Sequence, residues 1–336
     1  MITPNTTGSS EPHAAAASPS LSPLTDVHSF WSKRWSSPKL GWHLEDINPH
    51  LKKYATILFD ENNDEGDDVR INNDAGSRIF VPLCGKSIDL AYLTDHPKVS
   101  HVVGIDIVRN AAEEFARDYP HFSIEEVQFC DGADNDGQAT TSGECTTDTD
   151  NEQKQQQNTI QKRNSFHGKG ISILNGDLFD FLSMSNDDRT SYILDKNPYC
   201  NTNKPAADNK HLKHKTGHYL FDAIYDRASM VAIHPSLRHE YANLMGNILR
   251  PGGTMLLVTI ERRTTTTDDA KVDGPPFSID ELQVRQLYDS QPWVESVTLL
   301  EEVDDLEKEE AKERWGKRGV LEMYELVFVI RAKMQA

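Results

Sequence analysis

The sequence predicts an α/β fold built on a mostly parallel β-sheet, and two observations support this. From Arg78 onward, short apolar runs alternate with segments of helical periodicity, which is the pattern of successive βαβ units. The punctuation of one predicted helix agrees: Pro235 suits its first turn, where no intrahelical N–H bond is lost, and Pro251-Gly252-Gly253 ends it and turns into the next strand.

Seven strands and four helices follow one another in this pattern. The predicted strands are residues 78–83, 101–105, 171–174, 220–225, 254–260, 294–299 and 321–330. The predicted helices are residues 87–94, 111–118, 235–249 and 279–288. Upstream of the first strand, a short segment contains several aromatic residues but few other apolar ones. We expect these aromatic side chains to pack against a neighbouring surface.

One domain spanning residues 27–333 is expected. Residues 1–26 are rich in Ala, Ser, Pro and Thr and contain neither Lys nor Arg, which indicates a disordered tail and argues against a secretory signal. Two low-complexity segments, 131–168 and 186–217, contain few apolar residues and cannot bury enough surface to offset the entropy cost of ordering them. We interpret both as surface insertions in loops of the sheet.

The charge and the cysteines exclude several classes of partner and site. The formal net charge of −18, from 53 acidic and 35 basic residues, argues against nucleic acid or an anionic membrane surface as a partner and favours small-molecule substrates. The four cysteines, at positions 84, 130, 145 and 200, show no paired spacing, which argues against a disulfide framework and a zinc site. A cytoplasmic protein without a membrane span or bound metal is expected.

Informative residues follow four predicted strands, at the sheet edge where α/β proteins bind ligands. A tight turn with Gly85 opens a helix after the first strand, and Gly85 would let the backbone approach a ligand. Asp106 ends the second strand, where a carboxylate can accept both hydroxyls of an adenosine ribose. Asp177 follows the third strand, and Asp226-Arg227 ends the fourth. Each signal alone also fits a purely structural role.

The first turn excludes two nucleotide-binding motifs. It is not G-x-G-x-x-G, and a single glycine stands where a pyrophosphate needs two or three, so a nicotinamide dehydrogenase is disfavoured. It is not G-x-x-x-x-G-K-[ST] either, although Lys86-Ser87 superficially resembles that ending. Covalent catalysis by Cys84 is also disfavoured, because no histidine with an orienting acid is evident as its partner.

Six blocks, in order, resemble the thiopurine S-methyltransferase family over residues 30–330. The blocks are Trp31-Ser32-Lys33-Arg34-Trp35 with Gly41-Trp42-His43, Pro82-Leu83-Cys84-Gly85-Lys86-Ser87, Val103-Gly104-Ile105-Asp106, Tyr225-Asp226-Arg227-Ala228-Ser229, Gly274-Pro275-Pro276-Phe277-Ser278 and a C-terminal block from Trp315 to Leu326. The resemblance implies a seven-stranded, Rossmann-like methyltransferase sheet with its last strand antiparallel and helices on both faces. It also implies S-adenosyl-L-methionine as cofactor and a monomer.

The resemblance further implies roles for individual residues. The residues it places around the cofactor are Trp31, Trp35, Trp42, Leu83, Gly85, Asp106, Asp177, Leu178 and Arg227. Trp42 also reaches the substrate, and Arg314, five residues before Gly319, stands where the family can place a second arginine on the substrate side. Asp106 departs from the glutamate that is commoner in the family, but keeps the carboxylate.

Methyl transfer from a sulfonium is an in-line displacement, so a protein mainly supplies orientation and exclusion of water. We expect Arg227, together with Arg314, to hold an anionic thiol while Trp31, Trp35 and Trp42 close the site. Three functions stay open: methylation of thiols such as thiopurines, methylation of selenium, tellurium, halide or thiocyanate species, and a non-catalytic S-adenosylmethionine-binding scaffold.

Overall fold

The computed structural model of the chain describes residues 27–36, 43–59, 76–130, 162–190, 192–193, 220–263, 274–306, 309–316 and 320–334. Within these residues, nine strands form one sheet in the order β3-β4-β5-β2-β1-β6-β7-β9-β8. The strands are β1 (Ser77–Val81), β2 (Val99–Asp106), β3 (Glu125–Cys130), β4 (Lys162–Gly168), β5 (Ile171–Asn175), β6 (Phe221–Arg227), β7 (Leu249–Arg263), β8 (Val294–Asp304) and β9 (Glu322–Ala332).

Helices and short 3-10 turns connect most of these strands. The helices are α1 (Val27–Trp35), α2 (Pro49–Tyr54), α3 (Ile88–Thr94), α4 (Arg109–Asp118), α5 (Leu178–Ser183), α6 (Asn186–Thr190), α7 (Ser229–Ala232), α8 (Arg238–Ile248), α9 (Glu281–Asp289) and α10 (Glu309–Gly316). The predicted helix over 235–249 is divided, because a 3-10 turn, Pro235–Leu237, precedes α8.

The predicted α/β class is confirmed. Strands β5, β2, β1, β6 and β7 are mutually parallel, whereas β9, the last strand, runs antiparallel to both of its neighbours, β7 and β8. Helices cover both faces, because residues along a buried parallel strand alternate between faces. On β1, Phe80 packs into one apolar cluster with α5, α8 and α9, while Ile79 and Val81 pack into another with α2, α3 and α4.

The predicted number of seven strands is wrong, because β3 and β4 extend the sheet beyond β5. Strand β4 lies inside the segment 131–168 that the sequence analysis assigned to an insertion, and α6 begins the second such segment, 186–217. The composition of β4 concealed it, since its buried positions include Ser165 and His167, which are fully buried but hydrogen-bonded to each other at 2.8 Å. A buried polar group is tolerated when it has a partner.

Parts of the predicted organisation lie outside the described residues: the tail 1–26, most of both insertions and Trp42. In the part of the chain that the structure does describe, no helix is both long and apolar enough to cross a bilayer.

Candidate active site

Six of the predicted site residues lie at or just beyond the carboxyl ends of β1, β2, β5 and β6: Leu83, Gly85, Asp106, Asp177, Leu178 and Arg227. The chain runs outward from β1 through β2 to β5 and then returns to β6 on the other side of β1. This reversal leaves a crevice over the central strand ends, which is where open α/β sheets bind ligands. We refer to it as the central cleft.

The turn after β1 forms one wall of the central cleft. Leu83 and Gly85 both have left-handed backbones, with φ of 43° and 52°. The Cys84 N–H donates to the Ile105 carbonyl at 3.0 Å, which ties the turn to β2. Glycine adopts this conformation without steric cost, but leucine does not, so Leu83 is held in a strained conformation of the kind that recurs at functional sites.

Asp106 is the acidic centre of the cleft. It ends β2 and is only 7% exposed. One carboxylate oxygen accepts the Gly85 N–H at 2.9 Å and the other accepts the Val108 N–H at 2.8 Å. Burial raises the pKa of Asp106 to about 6, against these two hydrogen bonds. Because a carboxylate has about four acceptor sites, two backbone donors leave it able to accept further hydroxyl groups.

Trp35 brings helix α1 to the cleft. A Cβ atom built on Gly85 would meet the indole of Trp35 at 2.6 Å, so the ring lies directly against the turn. Trp31 lies one helical turn earlier, on the same face of α1. Its ring packs edge-on against Phe30 at 5.3 Å between centroids, and the Arg34 guanidinium lies 5.7 Å from it. Trp35 therefore lies against the turn after β1, and its contact with a cofactor stays a prediction.

The residues after β5 divide between the cleft and the core. A Cβ atom on Gly176 would have no neighbour within 4 Å, so the backbone faces open space there. Asp177 caps α5, accepting the Phe179 N–H at 2.7 Å. Leu178 is 3% exposed and packs with Phe181 in the apolar cluster of that face. The capping hydrogen bonds give Asp177 a structural role. Its contact with an adenine amino group stays a prediction.

Asp226 and Arg227, adjacent at the end of β6, serve opposite faces of the sheet, as successive strand residues do. Asp226 is fully buried, and it accepts the Tyr241 hydroxyl at 2.6 Å and the N–H groups of Ser229 and Met230 at 3.1 and 3.3 Å. Burial raises its pKa to about 6. The Asp226 carboxylate thus fixes the start of α7 to α8.

Arg227 belongs to the face of Asp89 and Tyr225. Asp89 is 2% exposed and accepts the Tyr225 hydroxyl at 3.1 Å and the Asn48 N–H at 2.8 Å. Burial raises the pKa of Asp89, while the Asn48 N–H, the charge of Arg227 and the Tyr225 hydroxyl oppose that shift. Sequence reasoning assigned no role to Asp89. Its signal was a carboxylate in the first turn of α3 among Ile88, Leu90 and Ala91.

Charged side chains of both signs lie near His43, at the mouth of the cleft beside Arg227. Burial and then the charges of Lys86 and Arg227 lower the pKa of His43. Lys86 is itself paired with Glu114 at 2.7 Å. The charges of Asp118 and Glu114 oppose the lowering of the His43 pKa.

A loop following the described end of β7 borders α7. The Phe277 N–H donates to the Val231 carbonyl at 2.6 Å, and the Arg238 guanidinium donates to the carbonyls of Phe277 and Ser278 at 3.2 and 3.3 Å. The ring of His234 packs edge-on against Phe277. Arg238 was not identified from the sequence, because arginine at a helix start is ordinarily an exposed residue.

The side chains of two predicted site residues lie outside the described part of the structure. Trp42 lies outside the described residues, and Arg314 is in α10, although its side chain is not described. Their roles stay predictions. Cys84 is buried and packs against Gly104, and burial raises the pKa of its thiol well above the ordinary range. A protonated, enclosed thiol is a poor nucleophile.

Comparison with known proteins gives a consistent result. The model of a family described as thiopurine S-methyltransferase matches residues 27–143 and 213–333. A probable thiopurine S-methyltransferase of Yarrowia lipolytica is 28% identical over 286 residues, which cover 84% of this chain and 94% of that protein. The thiopurine S-methyltransferase of Nitrosospira multiformis is 25% identical over 304 residues, covering 90% and 97%. That of Legionella pneumophila strain Corby is 24% identical over 302 residues, covering 90% and 96%.

Proposed function

The chain belongs to the thiopurine S-methyltransferase family, and from that premise we propose that it transfers the methyl group of S-adenosyl-L-methionine to the sulfur of small thiols, thiopurines included. The observation that carries the proposal is the geometry of Asp106. A carboxylate held by two backbone N–H groups at the end of β2, with acceptor capacity remaining, is what binding of an adenosine ribose requires.

The residues of the central cleft fit this cofactor. Asp106 would accept the ribose hydroxyls, and the open backbone at Gly176 leaves room for the adenosine beside it. The turn at Gly85 allows close approach of the amino-acid part of the cofactor, and Trp35 would cover it. When bound, the cofactor supplies an activated methyl group on a sulfonium.

Arg227 would select the acceptor. We expect Arg227 to orient an anionic thiolate, because its charge lies on the face that Asp89 and Tyr225 support. Heteroaromatic thiols ionise readily near neutral pH, so a protein base is not required for them. Trp31, Trp35 and Trp42 would exclude water, and Arg314 would add a second cation. The proposal includes a monomer acting on a small molecule, as the family resemblance implies.

The test is methyl transfer from labelled S-adenosyl-L-methionine to a thiopurine, an aryl thiol, iodide and selenite. We expect transfer to the two sulfur acceptors by the wild type and its loss in Asp106→Ala. Arg227→Ala should raise KM for an ionised thiol more than for a neutral one, whereas Arg285→Ala, on α9 and paired with Glu281 at 2.8 Å, serves as control. Transfer to iodide and selenite alone would assign the protein to the inorganic acceptors, and cofactor binding without transfer to any of the four would favour a scaffold.

A further inference from the structure

A second cavity lies at the opposite edge of the sheet. It has a volume of about 670 Å³ and is lined by the ends of α5 and α8, by α6 and by Trp293. Helix α5 begins in the central cleft and runs away from it for six residues, or about 9 Å at the usual rise per residue. The α8 residues involved directly precede β7, and Trp293 directly precedes β8, so the cavity faces the amino ends of these strands.

Arg189 is the charged residue of this cavity. It is only 5% exposed. Its guanidinium donates to the Leu182 carbonyl at 2.6 Å and to the Asn186 side-chain oxygen. Arg189 Nε is buried and has no acceptor among the described residues. A guanidinium carries five N–H donors, so these two acceptors leave part of its hydrogen-bonding capacity unused.

No described carboxylate balances this cation. Burial lowers the pKa of Arg189, and no acid among the described residues opposes that shift. Asp187 and Asp188 are neighbours in sequence but are exposed, and Asp188 accepts the Ser185 hydroxyl at 2.6 Å instead. The carboxyl end of α5 offsets at most about half of a unit charge. A buried cation is costly unless it is paired, so a counter-anion is expected.

The remaining lining defines the anion. Asn243 and Asn247 of α8 add amide groups that can donate hydrogen bonds, while Leu244 and Trp293 provide an apolar wall. The Trp293 indole is fixed, because its N–H donates to the Ala242 carbonyl at 3.1 Å and its ring lies against Gly246. The cavity is open to solvent, and its volume exceeds what a bare phosphate needs.

We propose that this cavity binds a small organic oxyanion, in which a carboxylate or phosphate pairs with Arg189 and an apolar part lies against Trp293. Guanidinium groups recognise both anions through paired hydrogen bonds. The site is separate from the central cleft, so its occupancy does not depend on which acceptor the enzyme methylates.

The experiment measures the melting temperature of the full chain against phenyl phosphate and malonate, with phenol and chloride at matched ionic strength as controls. Wild type should show a saturable rise with both oxyanions and none with the controls. Arg189→Gln should weaken the response at least about tenfold, as expected for loss of a charged hydrogen-bond partner. Arg117→Gln removes an exposed charge on α4 and should respond as wild type does.

A second variant keeps the test decisive if Arg189→Gln folds poorly. Asn247→Asp places a carboxylate in the cavity, so it should raise the melting temperature without ligand and abolish the oxyanion response. Methyl transfer should be unchanged in this variant, which separates the proposal from the catalytic one. A response equal to that of wild type in both variants, or no saturable response in wild type, would overturn the proposal and leave Arg189 as a cap of α5.

Discussion

At the scale of single residues, the cleft depends on carboxylates whose burial opposes their ionisation. Asp106 and Asp226 both have pKa values near 6 and both are enclosed at strand ends. The two carboxylates differ in the hydrogen bonds that compensate for their burial. Asp226 accepts from Tyr241 and two backbone N–H groups, whereas Asp106 accepts two backbone N–H groups and retains capacity for a ligand. The first is therefore structural and the second is available for binding.

The ionisation of Asp106 predicts how cofactor affinity varies with pH. Ribose hydroxyls donate to the ionised carboxylate, so binding should release a proton near pH 6. Below that pH, the Kd for S-adenosylhomocysteine should rise toward about tenfold per pH unit. Calorimetry from pH 5 to 8 in buffers of different ionisation enthalpy measures both effects. An affinity that is constant between pH 5 and 7 would contradict a ribose contact through Asp106.

Gly85 should not tolerate a side chain. In Gly85→Ala, the new Cβ would lie 2.6 Å from the Trp35 ring on a left-handed backbone. The backbone alone costs alanine about 1–2 kcal/mol. We expect cofactor binding to weaken strongly, and the double variant Gly85→Ala with Trp35→Ala to recover only part of it. Equal cofactor affinity in Gly85→Ala and wild type would show that the ring and the turn do not constrain each other.

At the scale of elements, the sequence pattern predicted the central strands of the sheet. Buried polar residues concealed strand β4. Alternation of apolar runs with helical periodicity identified β1, β2, β5 and β6, whose interiors are almost entirely apolar. Strand β4 was missed because Ser165 and His167 read as a surface segment. Only the partners that these residues find across the sheet make their burial possible, and pairing across strands is not visible in local sequence.

A buried hydrogen-bond network at the amino end of β5 has a pH signature. Ser172 is linked at 2.9 Å both to His101 of β2 and to His167 of β4. Burial lowers the pKa of His101 to about 3 and that of His167 to about 4. The unfolded chain therefore binds more protons than the folded chain between those values and about 6.5, and the free energy of unfolding falls as pH falls through that window.

A variant of His167 separates the pH effect of the buried histidines from that of the buried carboxylates. Asp106 and Asp226 act in the opposite sense, because their raised pKa values favour the folded state as pH falls from about 6. His167→Gln keeps a hydrogen-bonding side chain but cannot titrate. Between pH 6.5 and 5 it should lose roughly 1–2 kcal/mol less stability than wild type, measured by urea unfolding. Parallel pH profiles for the two proteins would mean that His167 has the same pKa in the folded and the unfolded chain.

The sequence predicted some of the site residues and missed others. Motif order predicted Gly85, Asp106, Arg227 and Trp35, because each occupies a strand end or a helix that the topology brings to one edge. Asp89, Tyr241 and Arg238 were not assigned roles, since each acts on a residue far away in sequence: Asp89 on Tyr225, Tyr241 on Asp226, and Arg238 on the Phe277 carbonyl. Contacts of that range follow from packing, not from a local pattern.

At the scale of the whole molecule, stability and catalysis are concentrated in different parts. The two apolar clusters lie on the faces of the sheet, and none of the α1 residues is fully buried. Helix α1 touches the cleft through Trp35. The structure therefore divides into a sheet framework that holds both apolar clusters and helix α1, which contacts the turn after β1.

Trp35→Ala tests this division. Because α1 buries no residue fully, the melting temperature should change little, with less than about 1 kcal/mol lost. Turnover should fall by about tenfold or more, since the cleft would then admit water. Thermal unfolding and kcat, measured on the same preparation, show whether Trp35→Ala reduces stability or turnover. A large loss of stability with unchanged turnover would instead make α1 part of the structural core.

If the carboxylate at position 106 anchors the methyl donor, its removal should abolish methyl transfer. Methyl transfer from labelled S-adenosyl-L-methionine to an aryl thiol should be abolished in Asp106→Ala and largely retained in Asp106→Glu, which keeps a carboxylate at this position. Both variants must unfold near the wild-type temperature for the comparison to hold. Transfer by Asp106→Ala at the wild-type rate would contradict the account, because the cofactor would then be held elsewhere.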